Sequence, residues 1–192
     1  MRVHLIHGIH SEGPSPVQGL IPYLKAGGLD VVYPDYGWIA GLETRLVNPI
    51  IVGSLLPYIE PGDVLIGHSN GCAIAYDLVN AGAPAVGCLF INAALAQDIV
   101  RPRQVNFIRV YFNAGDEITE AAKFAEQLGL TDPVWGEMGH GGYVGSDPQI
   151  QNRDCGATAG MPTVIGHSDF FAQARLSSWG PYLTKDLTEA LA

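Results

Sequence analysis

Asp63-Val64-Leu65-Ile66-Gly67-His68-Ser69-Asn70-Gly71-Cys72-Ala73-Ile74-Ala75-Tyr76-Asp77-Leu78-Val79 is the stretch on which the reading of this chain turns. Asp63 to Ile66 is a short apolar run that reads as a buried strand, and Cys72 to Val79 reads as a helix. Between them stands Gly67-His68-Ser69-Asn70-Gly71, a Gly-x-Ser-x-Gly set between a strand and a helix. A chain that reverses so sharply forces its central residue into a strained conformation, and only hydrogens fit two residues to either side. Such a turn holds Ser69 Oγ clear at the carboxyl end of a sheet, with the N-terminal dipole of the new helix behind it. The pentapeptide alone also fits an ordinary glycine-rich turn, so the partners of Ser69 must come from elsewhere in the chain.

On either side of this elbow the chain alternates strands with helices. Arg2 to Ile6 opens as a strand and breaks into the turn His7-Gly8-Ile9-His10. A helix is expected from about Val17 to Ala26, disturbed by Pro22, and then a short strand over Val31 to Tyr33. Leu42 to Tyr58 has helical spacing interrupted by Pro49 and Pro57. After the elbow helix, Val86 to Ile91 and Val105 to Phe112 are apolar strands of the kind covered on both faces. Thr119 to Leu128 reads as a helix with Thr119 as its N-cap. Trp135 to Met161 is rich in Gly, Asp and Asn and reads as an irregular excursion, not a second domain. Pro162 to Ile165 resumes a strand, and Ser168 to Leu176 and Tyr182 to Ala192 close as helices. The pattern predicts one α/β domain over residues 1–192, a mainly parallel twisted sheet with helices on both faces. Active sites of such folds lie at the carboxyl ends of the strands.

A serine hydroxyl needs a base to take its proton, and the base needs a third group to fix its tautomer and stabilise its cation. In this fold the expected order is serine, acid, histidine. Asp116 and Glu117 follow the Val105 to Phe112 strand directly, and Gly115 lets the chain turn there. Asp116 is therefore the expected acid, against the plainer reading of a carboxylate that only starts the next helix. Asp98 and Asp132 follow no comparable strand. Two histidines compete for the base. His167 lies in Gly166-His167-Ser168-Asp169, between a strand and a helix that would anchor its loop. His140 lies among glycines in Met138-Gly139-His140-Gly141-Gly142, where nothing evident holds an imidazole in one orientation. His167 is preferred, and His140 stays open as the alternative. The backbone N–H groups of Asn70 and Ile9 are the expected oxyanion donors, one from the elbow helix and one from the first turn.

Composition limits the other functions. The 192 residues are 47% apolar and 15% charged, which suits a folded globular protein. Ten Lys and Arg against nineteen Asp and Glu give a formal charge of −9 with no basic cluster, so nucleic acid is not an expected partner. No apolar run reaches bilayer-spanning length, and the chain opens without a secretion leader, so a cytoplasmic protein is expected. Cys72, Cys88 and Cys155 show no metal-type spacing. Cys72 and Cys88 read as buried thiols, and the state of Cys155 is open. His4, His7 and His10 recur every third residue, but alternation along a strand sends neighbours to opposite faces and no local carboxylate or cysteine completes a set; no metal is expected. His68 reads as packing around the elbow. Tyr36, Trp38 and Tyr143 are loop aromatics that either line an acyl or alcohol pocket or pack loops onto the body.

Taken together, the strand followed by His7-Gly8, the Gly67 to Gly71 elbow, Asp116 after a late strand and a C-terminal histidine resemble a small serine hydrolase of the α/β-hydrolase superfamily over most of the length. In compactness the chain is similar to minimal lidless lipases and cutinases. The resemblance implies cofactor-free hydrolysis of a carboxylic ester, thioester or amide of a small molecule or lipid through an acyl-serine. The irregular Trp135 to Met161 stretch departs from the usual pattern of a plain final strand and histidine. A ligand-binding module that keeps the fold without the chemistry, and a peptidase or acyltransferase on the same residues, are the alternatives.

Overall fold

A computed structural model describes residues 1–9, 15–37, 43–119 and 134–192. Six strands are formed: β1 (Arg2–Ile6), β2 (Asp30–Val32), β3 (Val64–His68), β4 (Gly87–Ile91), β5 (Phe107–Phe112) and β6 (Ile150–Asp154). They lie in the order β2-β1-β3-β4-β5-β6, and all neighbouring pairs are parallel. The helices are α1 (Ile21–Ala26), α2 (Thr44–Leu55), α3 (Asn70–Asn80), the four-residue α4 (Met138–Gly141) and α5 (Gln173–Leu191). The expected α/β architecture is therefore present.

Strand alternation explains the layering. Leu65, Cys88, Phe90, Ile108 and Val110 point to one face, where they pack with Ile51 and Val52 of α2 and Ile74 and Leu78 of α3. Val64, Ile66, Leu89, Ile91 and Tyr111 point to the other, where Leu24 of α1 and Trp179, Leu183 and Leu187 of α5 cover them. β3 and β4 are buried along their whole length, which is why both read as unbroken apolar runs.

Three expectations need correction. The last strand is not Pro162 to Ile165 but Ile150–Asp154, inside the stretch read as irregular; Pro162 to Ile165 has no regular structure. β6 is an edge strand whose Gln151 and Asn152 are exposed, so solvation removed the apolar pattern that marks a strand. The two closing helices are one, α5, which runs through Pro181. An interior proline costs about 3 kcal/mol, but burial of Trp179, Leu183 and Leu187 on one stripe outweighs it. Pro49 likewise sits inside α2, while Pro57 lies in a 3-10 turn over Leu56–Tyr58. Finally, the helix after β5 begins at Glu117, with Asp116 as its cap: Thr119 N–H reaches Asp116 Oδ1 at 3.2 Å. The expected extension of that helix beyond Thr119 lies outside the described residues.

At the opposite end of the sheet from the elbow, Asp63 is a buried anchor. Its carboxylate accepts from the guanidinium of Arg2 (2.8 Å), the backbone N–H groups of Arg2 (2.8 Å) and Glu60 (3.0 Å), and His4 Nε2 (2.8 Å). Burial alone would raise its pKa, but these donors hold it well below the usual carboxylate range. A depressed pKa contributes stability that is present above the unfolded value and lost as pH falls through the folded one. Asp63→Asn is therefore expected to lower Tm at pH 7 by about 5 °C. The wild-type and variant Tm values should begin to approach each other only as pH falls below about 4, and should keep closing as it falls further, in a pH-resolved thermal melt. A pH-independent difference would contradict this role.

Candidate active site

The structure brings the carboxyl ends of β1, β3, β4 and β5 together around Ser69. β3 ends at His68 and α3 starts at Asn70, so Ser69 alone makes the reversal, with φ 57° and ψ −129°. A non-glycine residue held there costs about 1–3 kcal/mol and persists only where its surroundings enforce it. They do so by close packing. A Cβ on Gly71 would lie 2.2 Å from the Ile6 carbonyl oxygen, and one on Gly67 would lie 2.7 Å from the Cys72 backbone. Ser69 N–H donates to the Ile91 carbonyl (3.1 Å), and the Ser69 carbonyl accepts from Cys72 N–H (3.0 Å).

The turn after β1 lies directly on this serine. A Cβ on Gly8 would lie 2.8 Å from Ser69 Cβ and 3.2 Å from Oγ, so only glycine fits between turn and nucleophile candidate. His7 stiffens the turn. Its Nδ1–H donates to the Gly8 carbonyl (2.8 Å), and its ring stacks on Tyr36 at 3.9 Å between centroids. Tyr36 in turn donates its hydroxyl to the His7 carbonyl (2.6 Å). Burial lowers the His7 pKa and raises that of Tyr36, so both stay neutral. Ile9 continues this turn and packs partly against the core.

Asn70 is fixed through its side chain. Asn48 Nδ2 of α2 donates to Asn70 Oδ1 (2.9 Å), Asn70 Nδ2 donates back to Asn48 Oδ1 (3.0 Å), and Trp135 Nε1 adds a third bond to Asn70 Oδ1 (2.9 Å). Both asparagines are fully buried, so their amides are tied to each other and not to water. This holds the first turn of α3, whose N–H groups face the serine end, without a hinge.

Asp116 and His167 meet. His167 Nδ1 lies 2.9 Å from Asp116 Oδ1 and 3.0 Å from Oδ2, and Asp116 is fully buried. A carboxylate can only accept, so Nδ1 carries the proton and Nε2 is the free lone pair of the neutral ring. The imidazole also packs against His68, the residue preceding Ser69, with ring centroids 4.9 Å apart. His68 is buried between His167 and Phe171; burial and the His167 imidazole pull its pKa down to about 3. Glu117 and Asp98 are exposed, and Asp132 lies outside the described residues.

His140 sits on α4, and among the described residues its buried Nδ1 finds no hydrogen-bond partner. Among the described residues no carboxylate orients this ring as Asp116 orients His167. Of the aromatics, Tyr36 is spent on the first turn, and Tyr143 belongs to the loop before β6, where its hydroxyl accepts from Asp147 N–H (3.2 Å). Trp38 and His10 lie outside the described residues. His4 and His7 serve different partners, Asp63 and Gly8. Among the described residues no cluster of His, Cys, Asp and Glu could hold a metal ion, and no helix is long and apolar enough to cross a membrane. All three cysteines are buried and unpaired; burial raises the Cys72 thiol and pushes Cys88 up to about 12.

Sequence reading missed the supports of this site, Asn48 and Trp135 above all. Asn48 precedes a proline in a helix whose buried face also carries Thr44, Ile51 and Val52, and an amide among such residues is the available sign of a buried polar partner.

The chain matches no protein-family model and no curated protein. Its fold is that of the α/β hydrolases. It superposes on alpha/beta hydrolase domain-containing protein 10 from mouse with a TM-score of 0.61 at 12% identity, covering 99% of this chain and 90% of that one. A monoacylglycerol lipase from Paleococcus ferrophilus matches with a TM-score of 0.55 at 13% identity, over 98% and 93% of the two chains. An esterase from Pyrococcus furiosus matches with a TM-score of 0.55 at 11% identity, over 98% and 81%. The likeness is one of fold; the chemistry rests on this chain's own residues.

Proposed function

We propose that this protein is a serine hydrolase that cleaves a carboxylic ester of a small molecule or lipid through an acyl-serine intermediate. The observation that carries the reading is the contact of His167 Nδ1 with buried Asp116, on a loop packed against the strand end that bears the strained Ser69. Ser69 Oγ attacks the ester carbonyl carbon while His167 Nε2 takes its proton, and Asp116 stabilises the imidazolium. The carbonyl electron pair moves onto oxygen, where the N–H groups of Asn70 and Ile9 receive it. Collapse of this adduct expels the alkoxide, which leaves with the proton from Nε2. Water then attacks the acyl-serine in the same way and releases the acid and the free serine. The scheme uses no metal or organic cofactor. The structural likeness to proteins known as an esterase and a monoacylglycerol lipase favours an ester over a peptide. Three buried, unpaired thiols suit a reducing cytoplasm.

Chromogenic esters of graded acyl length test this directly. Turnover that saturates with ester and is blocked by a fluorophosphonate is the expected result. Absence of hydrolysis at every length, together with tight binding of a ligand, would favour the binding-module alternative.

A further inference from the structure

β4 and β5 lie side by side, and each ends in an asparagine. Asn92 follows Ile91, and Asn113 follows Phe112. Both are fully buried, and Asn92 has φ 46°, the left-handed conformation that asparagine tolerates better than most side chains. Asn92 Nδ2 points to two carbonyls of the loop that carries His167: that of Gly166 at 3.3 Å and that of His167 itself. Carbonyl oxygens only accept, so the orientation of this amide is fixed by chemistry. Its Oδ1 accepts from Asn113 Nδ2 (3.2 Å), and Asn113 Oδ1 accepts from Gly115 N–H (3.1 Å). The Asn113 carbonyl accepts from Asp116 N–H (3.1 Å).

A continuous chain of donors and acceptors thus runs from the turn that presents Asp116, through Asn113 and Asn92, to the peptide of His167. The His167 carbonyl takes a second donor, His68 Nε2, at 3.2 Å. That ring is neutral in its buried site, and a carbonyl partner requires the proton on Nε2. The base loop needs such support, because no helix or strand lies between Asp154 and His167. The acid turn already presses on it: a Cβ on Gly115 would lie 2.5 Å from the Ile165 carbonyl oxygen.

We infer that Asn92 is a positioning residue of the proposed hydrolase, whose amide donors fix the His167 peptide and so hold its imidazole on Asp116. This rests on the serine-hydrolase reading for its effect on turnover, though not for its effect on the His167–Asp116 contact. A packing role is separable from a donor role by isosteric substitution. Asn92→Asp keeps size and tolerance of positive φ, but sets a carboxylate oxygen against two carbonyls. Asn92→Gly removes the side chain at no conformational cost and serves as the second variant.

The test is performed on the full chain with ¹⁵N-histidine labelling. In the wild type, His167 Nδ1–H is expected to give a low-field proton resonance, assigned by its loss in Asp116→Asn. In both Asn92 variants that resonance should disappear or broaden while far-UV circular dichroism is retained. With a chromogenic ester, kcat should fall by about 10- to 100-fold while KM changes by less than about threefold. Asn92→Asp retaining both the resonance and wild-type kcat overturns the inference, since packing alone would then suffice. If the wild type shows the resonance but hydrolyses no ester, the hydrolase reading fails. The resonance in Asn92→Asp then decides the positioning role alone. A wild type lacking the resonance overturns the His167–Asp116 contact and this inference together.

Discussion

Ser69→Ala is expected to lower ester turnover by about 10⁴- to 10⁶-fold and to abolish labelling by an active-site fluorophosphonate. The size follows from what is removed. Without Oγ there is no bond to make to the acyl carbon, and only polarisation by the oxyanion donors is left. The fold should survive, because alanine occupies the same strained φ of 57° that the packing of Gly67 and Gly71 already imposes on serine. Thermal melts of the two proteins should nearly coincide. Equal labelling of Ser69→Ala and wild type would place the reactive group elsewhere.

His167→Ala is expected to cost about 10⁴-fold or more in kcat, with KM little changed, because the base is needed only as the proton moves. His140→Ala should cost less than about tenfold, since its Nδ1 meets no orienting carboxylate among the described residues. Asp116→Asn should behave like His167→Ala. An amide in place of the carboxylate can offer its N–H to the ring, which favours the wrong tautomer and leaves the imidazolium without a counter-charge. Steady-state kinetics of the three variants on one ester decide the ranking. A larger loss for His140→Ala than for His167→Ala would transfer the base to α4.

What the sequence made legible were the features enforced by steric and apolar demands. β3 and β4 are unbroken apolar runs because both their faces are covered, and the elbow is visible because Gly67 and Gly71 admit nothing larger. The neighbourhood of Asp116 and His167 followed from strand ends and chain order, although the strand credited with presenting His167 was the wrong one. β6 escaped notice because an edge strand with exposed Gln151 and Asn152 carries no apolar signature. The last helix read as two pieces, Ser168 to Leu176 and Tyr182 to Ala192, because local propensity cannot register the burial of Trp179 and Leu183 against the sheet. The supports of the site were illegible for a different reason. Asn48, Asn92, Asn113 and Trp135 act through contacts between residues 20 or more positions apart, and a single amide can signal that a partner exists but not which residue it is. Asn92 and Asn113 do share one visible trait, since each immediately follows an apolar strand. A polar residue repeated at neighbouring strand ends marks the edge where a parallel sheet builds its site.

The covalent step itself can be observed. Protein mixed with a chromogenic ester and quenched in acid during turnover should gain the mass of the acyl group, and peptide mapping should place that gain on Ser69. Steady hydrolysis with no adduct, or with the acyl group on any other side chain, would show that ester cleavage here does not pass through this serine.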